Sequence, residues 1–99
     1  LVLITHNHWD HADRKTLGAL ARQNPRAVIA VPKGDAVWAE QLGYHDVREY
    51  TWGDSALYGS IRATFLPARH WSQCTPFNKN HALWGSWMVE GMGLTLYHG

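Results

Sequence analysis

Four side chains able to bind a metal lie within six residues near the start of the chain: His6, His8, Asp10 and His11, in the segment Thr5-His6-Asn7-His8-Trp9-Asp10-His11. Neutral imidazole nitrogens and a carboxylate oxygen suit zinc at about 2.0 to 2.2 Å. Three imidazoles and a carboxylate are too many ligands to crowd around one ion that keeps an open position, so two adjacent metals are expected. The competing reading is a solvated His-rich loop without metal. Four candidate ligands placed directly after an apolar run argue against it.

The element that must present these residues is that run, Leu1 to Thr5 (LVLIT). As a buried strand it would point His6, His8 and Asp10 toward one side by its period of two. The loop would then have to turn His11 inward. Further along, Arg14 to Gln23 places Leu17, Leu20 and Ala21 at helical spacing, and Asn24-Pro25 closes that helix. Ala27 to Val31 is continuously apolar and fits a strand buried on both faces. Gly34 to Leu42 reads as a second helix ended by Gly43. Val47 to Tyr50 and Ser60 to Leu66 are expected strands, and Ala82 to Glu90 with Leu94 to His98 should form a hairpin across Gly91-Met92-Gly93. The order β-α-β-α-β-β-β-β predicts a mixed sheet with helices packed on one face.

The pattern His-x-His-x-Asp-His after a short apolar strand resembles the metallo-β-lactamase superfamily. That resemblance implies an α/β protein with the αββα sandwich fold and one or two metals at its edge. A second stretch narrows it. Pro67-Ala68-Arg69-His70-Trp71-Ser72, followed by Asn80-His81-Ala82-Leu83-Trp84-Gly85-Ser86-Trp87, is similar to the branch containing the N-acyl-phosphatidylethanolamine-hydrolysing phospholipase D. The first motif identifies the fold and the metals. The second is more specific, because paired Trp residues around Gly85-Ser86 are uncommon elsewhere in the superfamily.

By that resemblance His6, His8 and His70 would hold one zinc ion, while Asp10 and His11 would begin the site of a second. Asp10 would also orient or deprotonate the nucleophile. Two further ligands of the family pattern, a bridging carboxylate and a last His, have no candidate here, and Gly99 stands where the glycine preceding that carboxylate would be. The resemblance therefore implies a zinc-dependent phosphodiesterase acting on N-acyl phosphatidylethanolamine or a similar lipid. Two alternatives are a two-metal hydrolase of a lactone or other small ester, and an inactive metal-binding fragment.

Composition suits a piece of such an enzyme. Hydrophobic residues make up 45% of the 99 and charged residues 17%, enough apolar side chain for the core of one small domain. Residues 1–99 are expected to be a partial domain cut at both ends, since Leu1 already lies inside an apolar run. A net charge of +1 with Lys and Arg scattered along the chain offers no basic stripe for nucleic acid. Cys74 is alone, so it forms no disulfide within these residues and is left out of the site. No apolar run nears the roughly 20 residues that span a bilayer. A cytoplasmic or peripheral-membrane location is the expectation, with a lipid or small ester as partner. Six Trp residues are unusual for this length. Trp9 and Trp71, each beside a proposed ligand, are candidates to wall the pocket and contact substrate, whereas Trp38 reads as core.

Overall fold

The computed structural model describes residues 1–68 and 83–99. Arg69, His70, Trp71, Cys74 and His81 lie outside the described residues. Nine elements run in the order β1 (Val2–Leu3), α1 (Arg14–Gln23), β2 (Val28–Pro32), α2 (Ala36–Gln41), β3 (Asp46–Tyr50), β4 (Ser55–Tyr58), β5 (Ile61–Leu66), β6 (Ser86–Gly91) and β7 (Leu94–His98). Both helices and the closing hairpin fall where the periodicity puts them. β4 is an addition: Ser55-Ala-Leu-Tyr58 is short and follows a Trp-Gly-Asp turn, which hides it from a pattern search.

The strands divide into two sheets rather than one mixed sheet. β1, β2 and β3 form a parallel sheet in that order, and β4, β5, β6 and β7 form an antiparallel one. Connection length separates them. Parallel neighbours need long crossovers, which α1 and α2 supply, whereas short turns can only return the chain antiparallel. Side-chain alternation on β2 then builds two cores. Ile29 and Val31 pack with Leu17, Ala21, Trp38 and Ala39 under the helices. Ala30 faces the other way, into a cluster with Tyr50, Ala63, Phe65 and Trp87 between the two sheets. Helix, sheet, sheet is thus the layer order of the described residues.

Trp87 is the largest fully buried side chain among the described residues. Its ring meets Phe65 at 4.9 Å and Tyr50 edge-on at 5.1 Å between centroids. Buried indole needs a hydrogen-bond acceptor, and Trp87 Nε1 donates to the Ile4 carbonyl across the sandwich at 2.9 Å. One residue further along β1's exit, the Thr5 carbonyl accepts from the Gly85 amide at 2.9 Å. A Cβ on Gly85 would come within 2.5 Å of Phe65 Cζ and 2.6 Å of the Leu66 carbonyl oxygen, so only glycine allows this approach. The Trp-Gly-Ser-Trp stretch therefore clamps the segment that leads into the His-rich loop.

Candidate metal centre

β1 ends at Leu3, so the strand period does not reach the ligand residues. The loop is shaped by its own hydrogen bonds. The His8 carbonyl accepts from both the His11 amide (2.9 Å) and the Ala12 amide (2.8 Å), which folds the chain back on itself. Asp13 then caps α1, its carboxylate accepting from the Thr16 amide at 3.2 Å and from the Thr16 hydroxyl. The turn brings three imidazoles together. The His6 ring meets His8 edge-on at 4.6 Å and His11 at 4.3 Å between centroids. The His11 ring lies against His6 with its side chain 39% exposed.

Asp10 behaves differently. It sits in the turn with its side chain 60% exposed, and Oδ2 lies 3.9 Å from His11 Nε2. The alternation expected to aim it beside His6 and His8 is absent, because residues 9–11 are turn and not strand. Trp9, next to His8, is 83% exposed among the described residues.

Two contacts fix the buried side of the loop. Thr5 Oγ1 and His6 Nδ1 lie 2.8 Å apart. When Nδ1–H is the donor, Nε2 carries the lone pair that a metal requires. Asn7, buried between the two histidines, donates from Nδ2 to Asp35 Oδ1 at 3.2 Å. The same Oδ1 accepts from Trp38 Nε1 at 2.7 Å. Asp35 is 1% exposed, and burial pushes its pKa up to about 6 against the opposing pull of those two donors. Sequence reading passed over Asp35. The available signal is its place just after β2, since the carboxyl ends of adjacent parallel strands share one edge of the sheet.

Imidazole and carboxylate are the donor types of a zinc or iron centre, and their gathering at a strand end fits such a group. Among the described residues no three His, Cys, Asp or Glu side chains are arranged to hold an ion by themselves. His70, the expected third ligand beside His6 and His8, lies outside them. The approach to it is partly fixed: Trp84 Nε1 donates to the Ala68 carbonyl at 2.9 Å, two residues before His70. Trp52 Nε1 in turn donates to the Trp84 carbonyl at 2.6 Å.

Comparison with known proteins agrees with this architecture. The chain matches the Beta-lactamase superfamily domain over residues 1–99 and belongs to that family. Within it, the chain is 30% identical over 104 residues to N-acyl-phosphatidylethanolamine-hydrolyzing phospholipase D 1 of Caenorhabditis elegans, covering 96% of this chain and 29% of that protein. It is 34% identical over 100 residues to an uncharacterized protein of Mycobacterium tuberculosis, covering 99% of this chain and 26% of that one. The mitochondrial N-acyl-phosphatidylethanolamine-hydrolyzing phospholipase D of Saccharomyces cerevisiae is 30% identical over 97 residues, with 94% and 20% covered. Among solved structures, the diiron beta-hydroxylase CmlA from Streptomyces venezuelae superposes with a TM-score of 0.72 at 24% identity, over 97% of this chain and 19% of that one. That likeness shows the fold. The chain thus spans between a fifth and a third of the relatives it matches.

Proposed function

We propose that these residues are the metal-binding part of a two-metal hydrolase, a phosphodiesterase of the phospholipase D type acting on N-acyl phosphatidylethanolamine or a similar lipid. The observation that carries this reading is the gathering of His6, His8 and His11 on a loop clamped by Trp-Gly-Ser-Trp. Relatives named for that activity align over 96% and 94% of this chain. His6 and His8, with His70, would hold one ion, and Asp10 with His11 would begin the second site. Bound there, zinc supplies Lewis-acid activation of a water and of a phosphoryl or carbonyl oxygen.

The chain's own residues account for the rest. Thr5 would orient His6, the His8 carbonyl folds the loop that carries His11, and Asp10, its side chain 60% exposed, would take a proton from the attacking water. Trp9, exposed beside the ligands, offers an amphipathic ring to an acyl chain, as does Trp71 in the sequence next to His70. Among the described residues no helix is long and apolar enough to cross a membrane.

The test uses the full-length protein. Emission spectroscopy on purified enzyme should find two metal ions per chain and distinguishes zinc from iron. Long-chain N-acyl phosphatidylethanolamine should be hydrolysed to phosphatidate and N-acyl ethanolamine. It should turn over faster than a short-chain analogue in the same detergent, because each buried methylene contributes about 0.8 kcal/mol. Equal rates for the two chains, or a preference for a lactone, would overturn the lipid assignment.

A further inference from the structure

Asp35 is a carboxylate buried to 1% exposure in a chain whose other acidic side chains reach solvent more freely. Burying an ionisable group is costly unless its hydrogen bonds return something. Here a single oxygen, Oδ1, receives both the Trp38 indole N–H at 2.7 Å and the Asn7 amide at 3.2 Å. Asn7 lies 28 residues away in sequence and directly between His6 and His8. The bond therefore joins the loop after β2 to the ligand loop after β1.

The Asp35 side is itself held firmly. A Glu49 carboxylate oxygen on β3 accepts from the Gly34 amide at 3.2 Å and the Ala36 amide at 3.3 Å, bracketing Asp35. Gly34 adopts a φ of 100°, a conformation other residues rarely take, and so lets the chain turn tightly there. On the far side the Arg14 guanidinium lies 4.5 Å above the Trp38 ring, tying α1 to the same network. Asp35 is thus anchored to β3 and both helices, while Asn7 is carried on the loop it steadies.

We infer that Asp35 is a positioning residue for the metal centre: through Asn7 it fixes the backbone between His6 and His8 and so sets the direction in which both imidazoles are offered. This rests on the metal-centre reading above. A carboxylate suits the task better than a neutral group because its charge strengthens both incoming bonds. Partners at this remove from a metal typically alter its affinity by about 10 to 100-fold when removed.

The test measures zinc affinity of the full-length protein by competition with a chelator, alongside circular dichroism of the metal-free form. Asp35→Ala should weaken zinc binding by about 10 to 100-fold. Asn7→Ala should weaken it comparably, and the double variant should be no worse than the weaker single, because both remove the same Asn7–Asp35 bond. Asp35→Asn, which keeps the shape and an acceptor oxygen, should restore most of the affinity. If Asp35→Ala does not fold, Asn7→Ala decides, since it removes only the loop end of the bond. Folded variants that bind zinc within twofold of wild type would overturn the positioning role and leave the metal centre standing. A wild-type protein that binds no metal would overturn both.

Discussion

The parallel and antiparallel halves of this chain divide the labour unequally. The parallel half carries the candidate ligands: its β1 and β2 exits bear the His-rich loop and Asp35, gathered at one edge as parallel strands require. The antiparallel half adds no ligand among its described residues. It supplies instead the constraint, with Trp87 and Gly85 reaching across to the carbonyls of Ile4 and Thr5. A ligand loop only two residues past a strand would be free to fray without that clamp. The paired-Trp motif thus fastens the His-rich loop, whatever it does for substrate.

The largest effect should come from breaking the chemical half alone. In the full-length protein His8→Ala is expected to lower turnover at least a thousandfold, about 4 kcal/mol of barrier, and to reduce metal content. Thermal unfolding of the metal-free protein should move far less. Unchanged metal stoichiometry and turnover in this variant would remove His8 from the centre.

Breaking the clamp comes next. Trp87→Ala empties the middle of the inter-sheet core and should cost about 3 to 5 kcal/mol in denaturant unfolding. Gly85→Ala forces a methyl group against Phe65 and the Leu66 carbonyl, with an expected cost of about 1 to 3 kcal/mol or more. Both should also weaken metal binding, because Ile4 and Thr5 lead directly into His6. A clamp variant that lost stability yet held metal as tightly as wild type would show that the two halves act independently.

Much of this division was legible from residue order. His6, His8 and His11, candidate ligands by type and spacing, are brought together, and both helices follow from period and end signals. What escaped depends on neighbours distant in sequence. Asp35 falls within the expected helix Gly34 to Leu42 and carries no sign of a site there, and only its contact with Asn7, 28 positions earlier, gives it a role. Asp10 was placed by extending a strand period past Leu3, where the His8 carbonyl bonds had already turned the chain. Two sheets instead of one follow from the inter-sheet role of Ala30 and Trp87, which no local pattern records.

A smaller effect sharpens the boundary between the halves through pH. Burial raises Asp35 from 3.8 to about 6, so between those two pH values the folded state holds a proton that the unfolded chain has released. Its contribution is therefore fully present below pH 3.8 and is lost as pH rises through 6. In metal-free full-length protein, the stability of wild type relative to Asp35→Asn should increase by about 1 kcal/mol between pH 7 and pH 5. Urea unfolding of the pair at both values measures it, and the subtraction removes the titration of the histidines. A constant difference would mean that the carboxyl is hydrated rather than enclosed between α2 and the ligand loop.

The smallest expected change isolates substrate from structure. Trp9 is 83% exposed although it lies within the ligand loop, so it contributes little packing. Trp9→Ala should leave unfolding free energy within about 0.5 kcal/mol of wild type, as substitutions at exposed positions generally do. If the ring meets the acyl chain, the same variant should reduce the advantage of long-chain over short-chain N-acyl phospholipid while leaving short-chain turnover and metal content intact. That split cannot arise from a disturbed metal loop, which would lower both rates together. An unaltered chain-length preference would leave Trp9 without a part in lipid recognition, and a large loss of stability would show that its ring packs against residues beyond those described.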